Sequence, residues 1–256
     1  MDKRTSFGVD SSEMKTFERI PYKTELEWLN LRCLGGSNAS AILGQNPYCT
    51  NLELWQEMVG IKPRPEIDNP FVRYGKVVEH PLRKIFEMDY IGLLKISYTN
   101  EVLRRIDKPY LTASLDGEIE VLQDFRFTSY WKPHYKQTEE EIAPEPILLT
   151  KGMKGVLEIK TTEVLSSMHK EKWHNSIPQN YYIQTLHYLN VTNYDFVILV
   201  AQLKFVDRNG VMTKETRQYG YLRNGREADL LYLENEVDKF WSYVERKEEP
   251  PLLINF

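Results

Sequence analysis

Apolar runs bounded by glycine, proline, asparagine or aspartate mark the strand-like segments of this chain. Runs of this kind are typical of β-strands. The predicted strands cover residues 93–98, 110–122, 154–161, 194–206 and 211–222. Asn209-Gly210 is a strong hairpin signal, so the last two strands should be antiparallel neighbours. Residues 1–22 lack any such pattern, and we predict an irregular lead-in there.

Other segments carry apolar residues every three or four positions, which is the spacing of a helix with one buried face. The predicted helices cover residues 25–32, 39–43, 52–59, 72–88, 178–191 and 226–246. Thr24 is the expected N-cap of the first helix. Pro81 lies inside the fourth helix and is expected to bend it or to mark its first turns. Pro250-Pro251 should end the last helix.

The order of these elements is helices, three strands, a helix, a hairpin and a final helix. Such an order favours an α/β (α+β) fold, in which a central mixed β-sheet is flanked by helices on both sides. With 256 residues, 41% of them hydrophobic, the chain fits a single domain, 1–256. Residues 123–152 interrupt the strands with aromatic, acidic and proline residues, so we predict an insertion there, either a long hairpin or a mobile segment.

Composition excludes several classes of protein. Cys33 and Cys49 are the only cysteines and show no CxxC spacing, which argues against a thiolate zinc site or an iron–sulfur cluster and favours a reducing cytoplasm. We see neither a membrane-length apolar run nor a signal-peptide core, so we expect a cytoplasmic location. The formal net charge of −4 argues mildly against a nonspecific nucleic-acid coat protein, but a local basic groove remains compatible with it.

The candidate chemistry begins with Glu158-Ile159-Lys160 on a predicted buried strand. Side chains alternate along a strand, so Glu158 and Lys160 should share one face. A lone carboxylate, Asp116, lies in an earlier strand-like run, where aspartate is disfavoured. Two carboxylates converging from adjacent strands suit Mg²⁺ or Mn²⁺, and a nearby lysine would equip the site for metal-assisted phosphodiester hydrolysis. The alternatives are a solvated cross-strand pair and a simple turn aspartate.

Two helices contribute further candidates. Glu79 on the long helix could supply a third carboxylate to the metal cluster, or it could simply face solvent. Gln184 and Tyr188 are four residues apart on one helix and therefore share a face. There Gln184 could orient the lysine or the attacking water while Tyr188 lines the cleft. The alternative for this pair is ordinary aromatic packing on an amphipathic helix.

A possible phosphate grip lies near the N-terminus. Arg32 precedes Gly35-Gly36-Ser37, which opens a predicted helix. Glycines let a backbone approach a phosphate closely, and a helix N-terminus favours anions. An ordinary N-cap explains the same residues equally well.

In this order, the segments resemble the lambda exonuclease / YqaJ viral recombinase family of phage-type nucleases, which belongs to the PD-(D/E)XK superfamily. The resemblance runs from about residue 24 to the final helix, and each motif is modest by itself. The matching positions are Trp28, Arg32, Gly35–Gly44, Pro47-Tyr48, Leu52–Trp55, Tyr74-Gly75, Glu79-His80-Pro81, Ala113–Gly117, Leu157–Lys160 and Tyr181–Tyr188.

The resemblance implies a restriction-endonuclease-like core and a catalytic site that uses Mg²⁺ or Mn²⁺, with two ions. Asp116, Glu158 and the backbone carbonyl of Ile159 would bind the catalytic ion, and Glu79 would support the second. Lys160 would position or activate the water, and Gln184 would support either of them. A grip on DNA phosphate, notably at the 5′ end, would fall to four residues: Arg32, Ser37, Ser114 and Tyr188.

The resemblance also implies an activity and partners. The family degrades one strand of linear duplex DNA processively from 5′ to 3′ and leaves a 3′ overhang for a single-strand annealing protein. Its best-known members are trimeric rings around DNA. For this chain, a phage or prophage recombination exonuclease in a bacterial host is therefore the first hypothesis.

Two departures from the family pattern keep other hypotheses open. Leu115 stands where the family usually has proline, and Asp116 lies 42 positions before Glu158, where the family has a short turn. The insertion between them could cover the site, add DNA contacts or block ring closure. An end-independent endonuclease or nickase is therefore the second hypothesis. A non-catalytic DNA-binding recombination module is the third, although a pure binder should show a basic excess.

Overall fold

A computed structural model describes residues 16–65, 68–133, 142–164, 166–206 and 209–253. The first fifteen residues of the predicted lead-in and residues 134–141 of the predicted insertion lie outside these ranges. Within the described chain, no helix combines the length and the apolar character needed to cross a bilayer.

The described residues form ten strands and seven helices. The strands are β1 (Phe17–Pro21), β2 (Leu94–Ser97), β3 (Glu101–Arg105), β4 (Thr112–Ala113), β5 (Gly117–Val121), β6 (Phe125–Phe127), β7 (Ile147–Leu149), β8 (Lys154–Val164), β9 (Phe196–Val206) and β10 (Met212–Leu222). The helices are α1 (Glu25–Leu31), α2 (Gly36–Ile42), α3 (Asn51–Met58), α4 (Pro70–Asp89), α5 (Ser167–Lys172), α6 (Gln179–Thr192) and α7 (Glu227–Arg246).

The central sheet has five strands in the order β10-β9-β8-β5-β2. Strands β8 and β9 run parallel, whereas the other neighbouring pairs are antiparallel. The sheet is therefore mixed, as the sequence predicted. The parallel pair is connected by α5 and α6, because parallel strands need a crossover long enough to return the chain.

Helices cover both faces of this sheet, and the alternation along β8 shows how. Val156 packs in a core cluster with residues of α2, α6 and α7. Leu157 and Ile159 point the opposite way and pack with Leu82 and Phe86 of α4. Glu158 and Lys160 therefore share the α6 face of the strand, as the alternation predicted.

The predicted helices are confirmed with shifted ends. Thr24 caps α1 as expected, since its Oγ1 accepts a hydrogen bond from the backbone of Glu27 at 3.1 Å. Helix α2 begins at Gly36, earlier than predicted. Helix α4 begins at Pro70, so Pro81 lies in its interior rather than in its first turns.

The prediction of an irregular lead-in over residues 1–22 is wrong for its described end. Strand β1 pairs antiparallel with β3, which pairs in turn with β4, and together they form a second, three-stranded sheet. Ion pairs secure β1: Arg19 pairs with Glu101 and with Glu118 of β5, and Glu18 pairs with Arg104 of β3. Because β1 and β3 are rich in charge, hydrophobicity alone did not reveal them.

The predicted strand 110–122 is two strands in two different sheets. The chain leaves the small sheet at Ala113 and enters the central sheet at Gly117. Asp116 therefore lies in the connection, directly before β5, and not inside a strand. Aspartate is disfavoured inside strands, and this was the reason for singling out Asp116 in the sequence. That reason does not hold, because aspartate is common in the connections between strands.

The described part of the predicted insertion 123–152 contains a hairpin. Strands β6 and β7 pair antiparallel, and Phe127 and Leu149 are buried in the core beside α4. The backbone N–H of Tyr130 donates to the carbonyl of Gln218 in β10 at 2.7 Å. This pairing fits the hairpin alternative over the described residues, and residues 134–141 lie outside them.

Helices α2 and α6 approach closely at Gly36. A Cβ atom added there would lie 2.6 Å from Cε1 of Tyr188 and 2.9 Å from Cγ of Gln184. Only a residue without a side chain allows this approach. Gly36 is therefore explained by packing, which brings the start of α2 beside two candidate site residues.

We expect Gly36→Ala to destabilise the protein by about 1–3 kcal/mol, because overpacking forces neighbouring side chains or backbone to move. Urea unfolding at neutral pH measures the loss. Ser37→Ala, at the exposed next position of the same helix, is the matched control and should change stability by less than about 0.5 kcal/mol. Equal stability of Gly36→Ala and the control would show that the contact with α6 has no energetic weight.

Candidate active site

Strand β8 places an ion pair at the centre of the molecule. Glu158 is 1% exposed, and its Oε1 contacts Nζ of Lys160, two residues further along the same face. Lys160 also lies 5.2 Å from the ring centre of Tyr181 on α6. A buried carboxylate is costly unless it is paired. The pairing with Lys160 is therefore what allows a charge at this position.

Asp116 reaches the same point from the start of β5. Its Oδ2 accepts a hydrogen bond from the backbone N–H of Ile159 at 2.8 Å. This bond ties the connection before β5 to the middle of β8, because β5 and β8 are antiparallel neighbours. Two strands thus bring together the two carboxylates that lie 42 positions apart in the chain.

Helix α6 supplies a bridge on the other side of Glu158. Nε2 of Gln184 donates to Oε1 of Glu158 and to the hydroxyl oxygen of Tyr188, each at 2.8 Å. Gln184 and Tyr188 share a helix face, as their spacing predicted. Gln184 therefore fixes the carboxylate of Glu158, and Tyr188 forms part of the same buried wall.

Glu79 comes from α4, and a residue not predicted from the sequence holds it. Nη2 of Arg83 donates to Oε1 of Glu79 at 2.5 Å. Arg83 is 6% exposed and lies with its guanidinium carbon 3.8 Å from the ring centre of Tyr98. Glu79 and Arg83 are four residues apart on a predicted helix, so the sequence could have indicated an ion pair between them. Such pairs are common on solvated helix surfaces, and the spacing therefore did not mark this one as part of a site.

The carboxylates perturb one another. Burial, and then the charge of Asp116, raise the pKa of Glu158 to about 8. The same two causes, in the same order, raise the pKa of Glu79 to about 7. Burial opposes the charge of Lys160, but Glu158 and Asp116 outweigh it and raise the pKa of this lysine. Negative charge therefore exceeds positive charge locally, a condition that a bound cation would relieve.

The donor set fits a hard divalent cation. Oε2 of Glu158 is buried without a hydrogen-bond partner, which is unfavourable unless another group is bound there. With Asp116 and the backbone carbonyl of Ile159, it offers the oxygen ligands that Mg²⁺ and Mn²⁺ prefer. The described residues do not, however, bring three His, Cys, Asp or Glu side chains together as a ready-made metal site.

Two of the candidate phosphate-binding residues, Arg32 and Ser114, contact Trp28. The guanidinium carbon of Arg32 is 4.4 Å from the Trp28 ring centre, and the indole N–H of Trp28 donates to Oγ of Ser114 at 2.9 Å. Burial lowers the pKa of Arg32. Ser37 is exposed in the first turn of α2. Trp28 thus links Arg32 to Ser114, whereas Ser37 is placed beside them only by the short connection from Arg32 to α2.

In metal-free protein, we expect Asp116→Asn to raise the free energy of unfolding at pH 8 by on the order of 1 kcal/mol. The folded-state pKa of Glu158, about 8, exceeds its ordinary value of 4.5. Its contribution to stability is therefore present below about pH 4.5 and is lost as pH rises toward 8. The substitution would remove one cause of that loss, and the new amide oxygen could still accept the bond from Ile159.

Urea unfolding with EDTA at pH 5.5 and pH 8 tests this expectation. Glu120→Gln, which removes an exposed negative charge from β5, is the control and should have little effect at either pH. A lower stability of Asp116→Asn at pH 8 than of the wild type would contradict the charge-repulsion argument.

Comparisons with known proteins concern the family and the fold of this chain. The sequence profile of the YqaJ-like viral recombinase domain matches residues 27–195, which include every candidate site residue. The "Uncharacterized protein YqaJ" of Bacillus subtilis (strain 168) is 28% identical over 188 residues, covering 70% of this chain and 48% of that protein. The chain thus spans about half the length of this relative.

A solved structure shares the fold. LHK-Exo in complex with dAMP superposes with a TM-score of 0.51 at 15% identity, over 87% of this chain and 93% of that one. LHK-Exo, an alkaline exonuclease from Laribacter hongkongensis, also matches without that ligand, with a TM-score of 0.49, 14% identity and coverages of 87% and 93%. At 15% identity the first likeness concerns the fold alone, a mixed sheet flanked by helices. The profile match covers more than half of the chain, and it establishes that the chain belongs to the YqaJ-like viral recombinase family.

Proposed function

We propose that this protein is a metal-dependent DNA nuclease, and specifically a recombination exonuclease that digests one strand of linear duplex DNA from 5′ to 3′. The observation that carries the proposal is the buried Glu158. It is paired with Lys160, lies beside Asp116 and keeps one carboxylate oxygen without a partner. Buried carboxylates with strongly perturbed pKa values are concentrated at functional sites.

Asp116, Glu158 and the carbonyl of Ile159 would hold Mg²⁺ or Mn²⁺. When bound, the ion would polarise the phosphodiester and stabilise the charge that develops as the bond breaks. Gln184 keeps Glu158 in one orientation through its 2.8 Å hydrogen bond. The carboxylates are thus positioned before substrate arrives, which lowers the cost of reorganisation during the reaction.

Lys160 acts as a donor in this proposal. Because the neighbouring carboxylates raise its pKa, Lys160 is protonated at neutral pH in the metal-free protein. A protonated lysine donates hydrogen bonds to phosphate and to water, so Lys160 would orient the attacking water and stabilise the phosphate. The ring of Tyr181 against the ammonium group restricts where that donor can point.

Arg32, Ser37, Ser114 and Tyr188 would bind the DNA phosphates. Arg32 is half-buried on Trp28 and makes no ion pair with the carboxylates of the described chain. An arginine held in this way is prepared for an anion, because little side-chain entropy remains to be lost. Contact with a 5′-terminal phosphate would give the enzyme its end preference and its polarity.

The β6–β7 hairpin favours one alternative. It lies between β5 and β8 in the chain, where the family resemblance implies only a short turn. If the hairpin prevents the assembly of a ring, the same site would cleave away from ends, as an endonuclease or nickase. A homotrimer, a single-strand annealing partner and a cytoplasmic location remain predictions from the family resemblance.

We expect purified protein with Mg²⁺ to degrade linear duplex DNA and to leave a closed circular plasmid intact. Loss of a 5′ label before a 3′ label on the same duplex would establish the polarity. EDTA should stop the reaction. Asp116→Ala, Glu158→Ala and Lys160→Ala should each lower the rate by about 100-fold or more, because each removes a group that acts on the reacting phosphate.

Lys154→Ala, at the exposed start of β8, is the control for these variants and should retain the wild-type rate. Nicking or linearisation of the circular plasmid would show that the protein is an endonuclease and not an exonuclease. If neither DNA is cleaved, the hypothesis of a non-catalytic DNA-binding recombination module would be favoured. Cleavage by all three site variants at the wild-type rate would refute the assigned site.

We also expect Arg32→Ala and Ser37→Ala to reduce the preference for a 5′-phosphorylated end over a 5′-hydroxyl end. A lost charge-assisted hydrogen bond of roughly 1.5 kcal/mol corresponds to about a tenfold change in the ratio of rates for Arg32→Ala. Arg104→Ala, which removes a surface ion pair with Glu18, should leave that ratio unchanged. A wild-type enzyme that treats both ends equally would eliminate this role.

A further inference from the structure

Arg83 lies against the carboxylate cluster, and no step of the proposed reaction uses it. Its side chain is 7% exposed and donates to Glu79 from the next turn of α4. One face of its guanidinium lies on the ring of Tyr98. Removing an arginine from water to this extent is costly unless its charge is compensated. The carboxylate of Glu79 provides that compensation.

Arg83 uses only part of its hydrogen-bonding capacity in this arrangement. Its Nε is buried and has no hydrogen-bond partner among the described residues. An unpaired buried donor costs roughly 1–3 kcal/mol. The guanidinium donates from Nη2 to Glu79, and Tyr98 fixes its plane.

The formal charges of the cluster also bear on the number of cations that it attracts. Ionised Glu79, Asp116 and Glu158 contribute three negative charges, and Lys160 and Arg83 contribute two positive charges. A single divalent cation more than balances the difference. A second divalent cation beside Glu79 would lie within a few ångströms of the guanidinium, where like charges repel strongly in a buried site.

We propose that Arg83 takes the place of a second metal ion beside Glu79, so that the protein binds one divalent cation per chain in the absence of DNA. The inference rests on the proposed function, because it concerns the metal ion of that same site. Arg83 is thereby a positioning residue, which holds the carboxylate of Glu79 without touching substrate. This stoichiometry departs from the two ions that the family resemblance implied for this chain.

Counting bound Mn²⁺ by electron paramagnetic resonance tests the proposal without any cleavage. EDTA-treated and dialysed protein is titrated with Mn²⁺ at pH 8, and the signal of free Mn²⁺ gives the number bound. We expect one ion for the wild type and two for Arg83→Met, in which a neutral side chain of similar length releases Glu79. Arg83→Lys keeps the charge and should bind one ion.

Two further variants separate the role of Arg83 from a general change in charge. Lys84→Met removes one positive charge from the exposed neighbouring position of α4 and should leave the count at one. Arg83→Met combined with Glu79→Gln should return the count from two to one. Thermal unfolding of each protein verifies that it is folded before the titration.

Glu79→Gln in the wild-type background makes the test independent of whether Arg83→Met folds. Because the carboxylate of Glu79 is already paired with Arg83, we expect the number of bound Mn²⁺ ions to stay at one. The Mn²⁺ affinity should change by less than about tenfold, which is the lower end of the loss typical when a residue that supports a metal ligand is removed. Two ions in the wild type, a fall from two to one in Glu79→Gln, or one ion in folded Arg83→Met would overturn the proposal. No bound Mn²⁺ in any form would refute the metal-dependent function itself.

Discussion

Glu158 carries a carboxylate into the middle of the central sheet, and the surrounding structure is arranged to tolerate it. Its charge is unfavourable there, and three contacts offset the cost: the ammonium of Lys160, the amide of Gln184 and, as we propose, a divalent cation. These groups come from differently placed elements, so the sheet, α6 and the connection before β5 must all be correctly packed for the site to exist. A protein without such a site would place an apolar residue at this position and gain stability.

The same requirement explains several local features. Gly36 permits α2 to approach α6, so that the segment with Arg32 and Ser37 lies beside the wall formed by Gln184 and Tyr188. The parallel pairing of β8 with β9 requires the crossover through α6, which then delivers Gln184 to Glu158. The raised pKa values of Glu158 and Glu79 indicate that repulsion among the carboxylates opposes folding of the metal-free protein, which is the usual cost of a preorganised site.

Much of the fold followed from local patterns. Long helices and buried strands have strong periodic signals, and the central mixed sheet and its flanking helices were predicted correctly from them. The alternation along β8 also placed Glu158 and Lys160 on one shared face. Strands β1 and β3 escaped prediction because they are short and charged and are held by ion pairs with partners distant in sequence, such as Arg19 with Glu118. The single predicted strand 110–122 failed for a related reason, since residues that belong to two sheets look continuous in sequence.

The resemblance of the motifs indicated the family, and local periodicity was sufficient to predict the mixed sheet, to place Glu158 and Lys160 on a strand and to place Glu79 and Gln184 on helices. Local sequence patterns were not sufficient to show which of these groups meet, because that depends on packing between distant segments. The bond from Ile159 to Asp116 and the perturbed pKa values arise from desolvation and from charges that are remote along the chain. Arg83 is the clearest case, because its spacing from Glu79 is that of an ordinary surface pair. Only burial against Tyr98 and beside the carboxylate cluster gives it a distinct role, since the strength of an electrostatic interaction depends on the surrounding dielectric and not on sequence spacing.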